Sequence, residues 1–335
     1  MTSTWIDTLL GGPLPAEGGT LLRRERTLRM SAGLLRDLAV TDVGQAQTRD
    51  AFAFKWSRRD TYQSEAMRTA IGAWLAERYG DLIAKLGDNG GRPALVLDAG
   101  CGAGNAASLL FAPRWRDMRY VGVDISTAVD IARETIAAAT SECAFLQADL
   151  MALPFEDGLF DIVISEGVLH HTPSTRDAIL ATARLVRPGG LYAIYVYAKK
   201  SPVREFTDDY IRGLVSGLDG QAAWDRLMPL TKLGQALGEL DIQIDVPEDV
   251  EVLGIPRGKI NLQRLFYWHV CKAFYRPDLT LDEMNHINFD WFTPTYSHRQ
   301  TPDEVRSWCE AAGLVIETLR KEEAGITVVA RRPAG

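Results

Sequence analysis

The 335-residue sequence predicts an α/β protein: a Rossmann-like, mostly parallel sheet of seven strands with a C-terminal antiparallel hairpin, plus a helical cap. Three observations predict it. Apolar, strand-like runs alternate with helix-like runs between residues 94 and 197, as in a parallel sheet covered on both faces. The first of these runs, "LVLDAG", opens a loop with glycines at 100, 102 and 104. After a long interruption, one helix pattern and two strand patterns close the chain.

In order, residues 1–60 are rich in Gly, Pro and Arg and show no sustained periodicity, which predicts an irregular N-terminal arm. Within it, residues 20–59 hold nine Lys or Arg against four Asp or Glu, either a solvated arginine-rich face or an anion clamp. From 61 to 86, Met67, Ile71, Trp74, Leu75, Tyr79, Leu82, Ile83 and Leu86 recur at steps of three and four. That spacing puts them on one helical stripe despite Gly72 and Gly80.

"ALVLDAG" then reads as a strand, "NAASLLF" as a helix, "YVGVDI" as a strand, "STAVDIARETIAAAT" as a helix and "CAFLQAD" as a short strand. "FDIVISE" is the fourth strand. A helix ending in "RLVRPGG" follows, stopped by Pro188 and capped by Gly189, and "LYAIYVY" is the fifth strand.

Residues 200–300 break the alternation with helical or irregular patches and late aromatic clusters. The helix "TPDEVRSWCEAAG" resumes it with Thr301 as N-cap, Pro302 at the first position and Glu304 completing a capping box. "LVIETLRK", a turn at "EEAG" and "ITVVARR" form the hairpin. The expected division is an N-terminal arm and helix over 1–88, a core over 89–199 and 301–335, and an inserted, mostly helical lid over 200–300.

A net charge of −7 argues against nucleic-acid or anionic-membrane partners, whose contacts rest on Lys and Arg. Cys101, Cys143, Cys271 and Cys309 are widely spaced and form no CxxC pair, so neither zinc nor a disulfide framework is signalled. No signal-peptide pattern and no run of 18 apolar residues stands in the sequence. The expectation is a cytoplasmic protein with no metal.

A strand ending in a glycine loop that feeds a helix brings a ligand against main-chain amides. The dinucleotide fingerprint needs its third glycine at 105, where Asn105 stands, and no Lys-Ser or Lys-Thr follows to make a P-loop. Asp98 at the strand end points instead to a ligand with a cation or hydroxyls.

"VLDAGCGAGN", "VGVDIS", "QADLMALPFEDGLFDIVISEGVLHHTPS" and "LVRPGGLYAIY" together resemble the successive motifs of class I S-adenosylmethionine-dependent methyltransferases over residues 94–197, and through the closing helix and hairpin over 301–332. "FAFKWSRRDTYQSE" and "FDWFTPTYSHRQTPDEV" also resemble, less specifically, flanks of bacterial methyltransferases of small-molecule pathways. Some of those begin with a cysteine-rich zinc ribbon; the N-terminal arm here has no cysteine, so no metal is carried over.

The resemblance implies S-adenosyl-L-methionine as cofactor. Asp98 and the loop Gly100, Cys101, Gly102 and Gly104 would hold its amino-acid end, Asp124 both ribose hydroxyls, and Asp149 the adenine amino group, with the Leu150 amide nearby and Ile125 stacked on the base. Glu166, His170 and His171 leave the C-terminal end of the fourth strand, where open parallel sheets bind ligands. They are the candidates for base or cofactor contact, although a histidine before "TP" in such proteins also serves structurally.

Trp56, Arg58 and Tyr62 from the N-terminal side, and His286, Asp290, Tyr296 and His298 from the insertion, are the candidate substrate contacts. The signature Asn-Pro-Pro-Tyr is replaced by "SEGV", which disfavours nucleic-acid bases and glutamine. The expected activity is methyl transfer to an O, N or C atom of a small-molecule acceptor in specialised metabolism. The alternatives are a decarboxylation or cyclisation using the same cofactor, or a non-catalytic scaffold. A homodimer stays open.

Overall fold

Strands begin earlier than the sequence suggests. In the computed structural model, which describes residues 4–37, 39 and 42–335, a short helix α1 (Thr4–Leu9) precedes a three-stranded meander: β1 (Thr20–Arg23), β2 (Arg26–Ser31) and β3 (Leu34–Asp37). This corrects the irregular arm. The turns place Arg24 and Glu25, then Ala32 and Gly33, at positive φ, the conformation that tight hairpins demand of both central residues. Arg-Glu lacks the Asn-Gly or Asp-Gly signal that announces such a turn. Leu28 and Met30 are buried between exposed neighbours on β2, and β3 pairs in parallel with residues 143–147 of the core. Arg36 locks that seam, donating to Asp130 at 2.7 Å and to Gln147 at 2.6 Å.

Three helices follow: α2 (Val43–Ser57), α3 (Glu65–Tyr79) and α4 (Leu82–Leu86). The single helix expected over 61–86 is broken at Gly80 (φ 59), and Asp81 recaps the chain by accepting from the Ala84 amide at 3.0 Å.

The core alternates β4 (Ala94–Ala99), α5 (Asn105–Leu110), β5 (Met118–Asp124), α6 (Ala128–Ala137), β6 (Cys143–Gln147), β7 (Phe160–Glu166), α7 (Thr175–Ala183) and β8 (Val186–Tyr197). "RLVRPGG" is not the end of α7, which stops at Ala183. Phe160 donates to the Leu185 carbonyl at 2.9 Å, drawing the segment into the sheet, and Gly189 (φ 76) bends within β8.

The insertion comprises α8 (Pro202–Val215), α9 (Gly220–Glu239), a separate antiparallel pair β9 (Gln243–Val246) and β10 (Gly258–Asn261), α10 (Leu262–His269) and α11 (Leu281–Phe292). The chain closes with α12 (Pro302–Ala311), β11 (Val315–Lys321) and β12 (Gly325–Arg331), and the Thr301–Glu304 capping box is formed.

The sheet runs β1-β2-β3-β6-β5-β4-β7-β8-β12-β11, so three N-terminal strands extend the expected seven to ten. Strands β6 to β8 are parallel and β12 is antiparallel to both neighbours. Leu97, Val121, Val163 and Ile194 pack on one face, and Val96, Tyr120, Ile162 and Ala193 on the other, which is why these strands read as unbroken apolar runs. A third cluster joins Tyr195 and Tyr197, at the C-terminal end of β8, to Trp224, Phe289 and Phe292 of the insertion. Each buried ring there contributes roughly 1.5–3 kcal/mol. The insertion is thereby held over the C-terminal edge of the sheet, where open α/β folds bind ligands.

Candidate functional site

The glycine loop leaves β4 and folds back on β5: the amides of Gly100 and Cys101 both donate to the Val123 carbonyl, at 2.8 and 2.9 Å. Gly100 has φ +96, and a Cβ there would sit 2.4 Å from Val168 Cγ1. Only glycine fits such a position. Gly104 (φ +78) presses on α6, where a Cβ would lie 3.2 Å from Ala132 Cα. Gly100, Cys101 and Gly102 thus line the site, whereas Gly104 packs the loop against its neighbour helix.

The three aspartates have different surroundings. Asp98 is buried, accepts from the Tyr120 hydroxyl at 2.7 Å, and does not reach the cavity wall. Burial pushes its carboxyl up to about 7 against that hydrogen bond. Asp124 ends β5 on the wall and accepts from the Gly102 amide at 2.8 Å, the Ser126 amide at 2.8 Å and the Ser126 hydroxyl at 2.6 Å. Burial raises its pKa, and these donors oppose the rise while fixing the carboxylate's plane. Asp149 caps a single turn at 150–152, accepting from the Met151 amide at 2.9 Å, and lies on the wall with Ile125 and Leu150.

The cavity holds about 630 Å³, within the roughly 300–1,000 Å³ of small-molecule sites. It runs from the glycine loop to the insertion. Glu166, at the end of β7, accepts from Arg78 Nη1 at 3.1 Å and from the Tyr79 hydroxyl. Burial still raises its pKa. His170 is fully buried behind the wall, its ring tilted against Tyr197 at 3.7 Å between ring centroids, and among the described residues neither ring nitrogen has a hydrogen-bond partner.

His171 is on the wall. Its Nδ1 meets the Tyr296 carbonyl at 2.7 Å; a carbonyl can only accept, so Nδ1 carries the proton and Nε2 the lone pair. Nε2 is itself buried and has no hydrogen-bond partner among the described residues, and burial lowers the ring's pKa to about 4. His171 is therefore a neutral acceptor at physiological pH.

Among the substrate candidates, Trp56, Tyr62, His286 and Asp290 line the cavity. The Trp56 indole lies over the loop, 2.9 Å from where a Cβ on Gly102 would be. Tyr62 donates to the Trp56 carbonyl at 3.1 Å, and His286 Nδ1 meets Thr61 Oγ1 at 2.7 Å. Asp290 accepts from Lys55 Nζ at 2.5 Å and the Tyr197 hydroxyl at 2.6 Å. Burial opposes its ionisation, but the charge and hydrogen bond of Lys55, with the charge of Lys272, hold it well below the carboxylate range.

Arg58, Tyr296 and His298 lie off the wall. Arg58 stacks over Trp224 at 3.9 Å, Tyr296 donates to the α2 cap Asp42 at 2.8 Å, and His298 Nε2 meets the Thr172 carbonyl at 3.1 Å. Each serves the packing of α2 or the insertion.

Residues 97–194 match the family described as "Methyltransferase domain". Those residues carry a methyltransferase domain. A malonyl-[acyl-carrier protein] O-methyltransferase of Pseudescherichia vulneris is 37% identical over 123 residues, 36% of this chain and 45% of that protein. A tRNA (carboxymethyluridine(34)-5-O)-methyltransferase of Mus musculus is 34% identical over 124 residues, 36% of this chain and 17% of that one. The chain thus spans less than half the length of these relatives. A magnesium protoporphyrin IX methyltransferase from Synechocystis with bound SAM covers 88% of the chain at 15% identity and a TM-score of 0.46, a likeness that carries no argument about substrate.

The methyltransferase domain's own residues fit S-adenosylmethionine. Bare backbone at Gly100 and Gly102 lies beside two oriented carboxylates, Asp124 and Asp149, on one cavity wall, which suits a ligand bearing a vicinal diol, an amino-purine and positive charge. Among the described residues, no group of three or more His, Cys, Asp and Glu gathers for a metal, and no helix is long and apolar enough to cross a membrane.

Lys55, Arg78, Lys200 and Lys272 line or brace the same cavity and are absent from the sequence-derived set. Their signal was faint: lysines inside the aromatic runs "FAFKW" and "HVCKAFY", where a charge is ordinarily unwelcome.

Proposed function

We propose that this chain transfers the methyl group of S-adenosylmethionine to a small-molecule acceptor bound between the methyltransferase domain and the insertion. The observation that carries it is the single cavity whose wall runs from Gly100, Asp124 and Asp149 to His171, Asp290 and Lys272. A macromolecular acceptor fits poorly with a compartment walled by α2, α3, α10 and α11 and with a net charge of −7. The relatives' printed acceptors differ from one another, so the acceptor is read from this wall.

The chemistry the cofactor would supply when bound is a sulfonium methyl whose leaving group, a neutral thioether, needs no protonation. The chain's residues hold and orient. Asp124 accepts from the ribose hydroxyls, Asp149 from the adenine amino group, and the Gly100–Gly102 backbone takes the amino-acid end, with Asp98 beneath. Trp56 and Tyr62 close the loop side against water, which strengthens polar contacts inside. A rotation of the His171 ring brings its buried, unpartnered Nε2 to the cavity, where it accepts the hydrogen of the attacking group and takes the proton as the bond forms. Glu166, already held by Arg78 and Tyr79, positions α3 against the end of β7.

The test is incubation of the purified protein with methyl-labelled S-adenosylmethionine and a small-molecule cell extract. Label should enter a low-molecular-mass product with wild type and, at subsaturating cofactor, far more slowly with Asp124→Ala. Intact cofactor binding without any labelled product would refute methyl transfer.

A further inference from the structure

The insertion's half of the cavity carries more buried positive charge than the protein neutralises. The indole of Trp291 has four cations within 6 Å of its ring centre: Lys272 at 4.7, Arg204 at 5.4, Arg212 at 5.4 and Lys200 at 5.6 Å. Asp208 sits within this cluster, accepting from Arg204 Nε at 3.0 Å and from the Trp291 indole at 2.8 Å, and the charge of Asp290 also acts on Lys272 without a hydrogen bond to it. Asp209 reaches Arg212 only from the surface, at 3.9 Å. Asp290 is engaged by Lys55 and Tyr197. Lys200 spends its protons on the neutral carbonyls of Glu323 and Ala324.

Lys272 differs from the others. Its side chain is on the cavity wall at 5% exposure, and among the described residues its ammonium has neither a salt-bridge partner nor a hydrogen-bond acceptor; only its backbone amide is engaged, by Asp208 at 3.2 Å. A buried cation without a partner costs several kcal/mol unless something neutralises it. Burial accordingly holds this ammonium down to about 7. A protein that keeps such a group on a ligand cavity, over the Trp291 indole and with Lys200 close by near the indoles of Trp268 and Trp291, has left an anion's place open.

We propose that this end of the cavity is an oxyanion subsite, in which Lys272, assisted by Lys200, binds a carboxylate or phosphate group of the acceptor while Trp268 and Trp291 flank its flat body. The inference deepens the methyl-transfer reading and rests on it for the word acceptor; the subsite stands on the cation cluster. The acceptor would be anchored by its charge at Lys272 and present its nucleophile toward the glycine loop.

The test uses the full chain with benzoate, inorganic phosphate and uncharged benzamide, read by isothermal calorimetry and tryptophan fluorescence. Wild type should bind an oxyanion saturably and benzoate at least about tenfold more tightly than benzamide. Lys272→Met should abolish that preference, Lys272→Arg should keep it, and Lys200→Met should weaken it, with circular dichroism showing each folded. Preference for phosphate over benzoate, or the reverse, tells which oxyanion the site takes. Equal binding of benzoate and benzamide, failure of both oxyanions to bind, or an unchanged preference in Lys272→Met would overturn the subsite. S-adenosylhomocysteine is titrated separately: loss of its binding with the oxyanion preference intact would overturn the methyl-transfer reading and leave the subsite standing.

Discussion

Arg78 donates to Glu166 at 3.1 Å while its guanidinium lies between the rings of Trp74 and Tyr195, 3.5 and 3.6 Å from their centres. The same guanidinium reaches Glu322 at 2.9 Å. One side chain on α3 therefore ties the end of β7 to the β11–β12 turn directly beneath the cavity.

Because Arg78 and Glu166 are both largely withdrawn from water, removing one strands the other. Arg78→Met should cost about 3–5 kcal/mol of unfolding free energy, measured by equilibrium urea denaturation. The double variant Arg78→Met/Glu166→Gln should recover part of the loss, since no buried charge is then left alone. A single-variant cost below about 1 kcal/mol would place the pair among ornamental ion pairs.

Asp124 is fixed by three donors before any ligand arrives. Asp124→Ala should weaken S-adenosylhomocysteine binding about tenfold to a hundredfold, the worth of one to two hydrogen bonds to a charged group. Calorimetry measures the affinity, and thermal unfolding of the unliganded variant separates this from loss of the Gly102 and Ser126 contacts.

His171→Gln should lower kcat by roughly 10²-fold or more while leaving S-adenosylhomocysteine affinity unchanged. With the ring's pKa held at about 4 by burial, the wild-type rate should show no rising limb from this group between pH 6 and 8. A kcat within about twofold of wild type would leave His171 a packing residue.

The two histidines also set an acid limit. Burial holds His171 at about 4 and lowers His170 well below the ordinary value of 6.5. The unfolded chain therefore binds these protons first as pH falls. Stability should be full above about 6.5 and fall progressively toward pH 4, by on the order of 3 kcal/mol for His171. Melting temperature against pH should show this slope in wild type and a shallower one in His171→Phe.

Much of this was written locally. Strand and helix periods from 94 to 197, the Thr301 capping box and the closing hairpin each depend on residues a few positions apart, and each is present. Gly100 announced a close approach that the Val168 contact explains. The meander at 20–37 was hidden because Arg-Glu and Ala-Gly turns adopt positive φ without the usual Asn or Asp, and because its partner strand lies more than a hundred residues away.

The cavity divides the same way. The glycine loop and the aspartates at 98, 124 and 149 follow strand ends, so position in the chain already foretold their place on one edge of the sheet. The rest of the cavity is assembled from α2, the turn after β7, β8 and the segment from α10 to α11, whose residues meet only through packing: Lys55 with Asp290, Tyr197 with His170, Lys272 with Trp291. Local sequence carries period, caps and loop chemistry because those act between near neighbours. A buried charge such as Lys272 acquires its meaning only when the folded chain has removed water from around it and left it no partner.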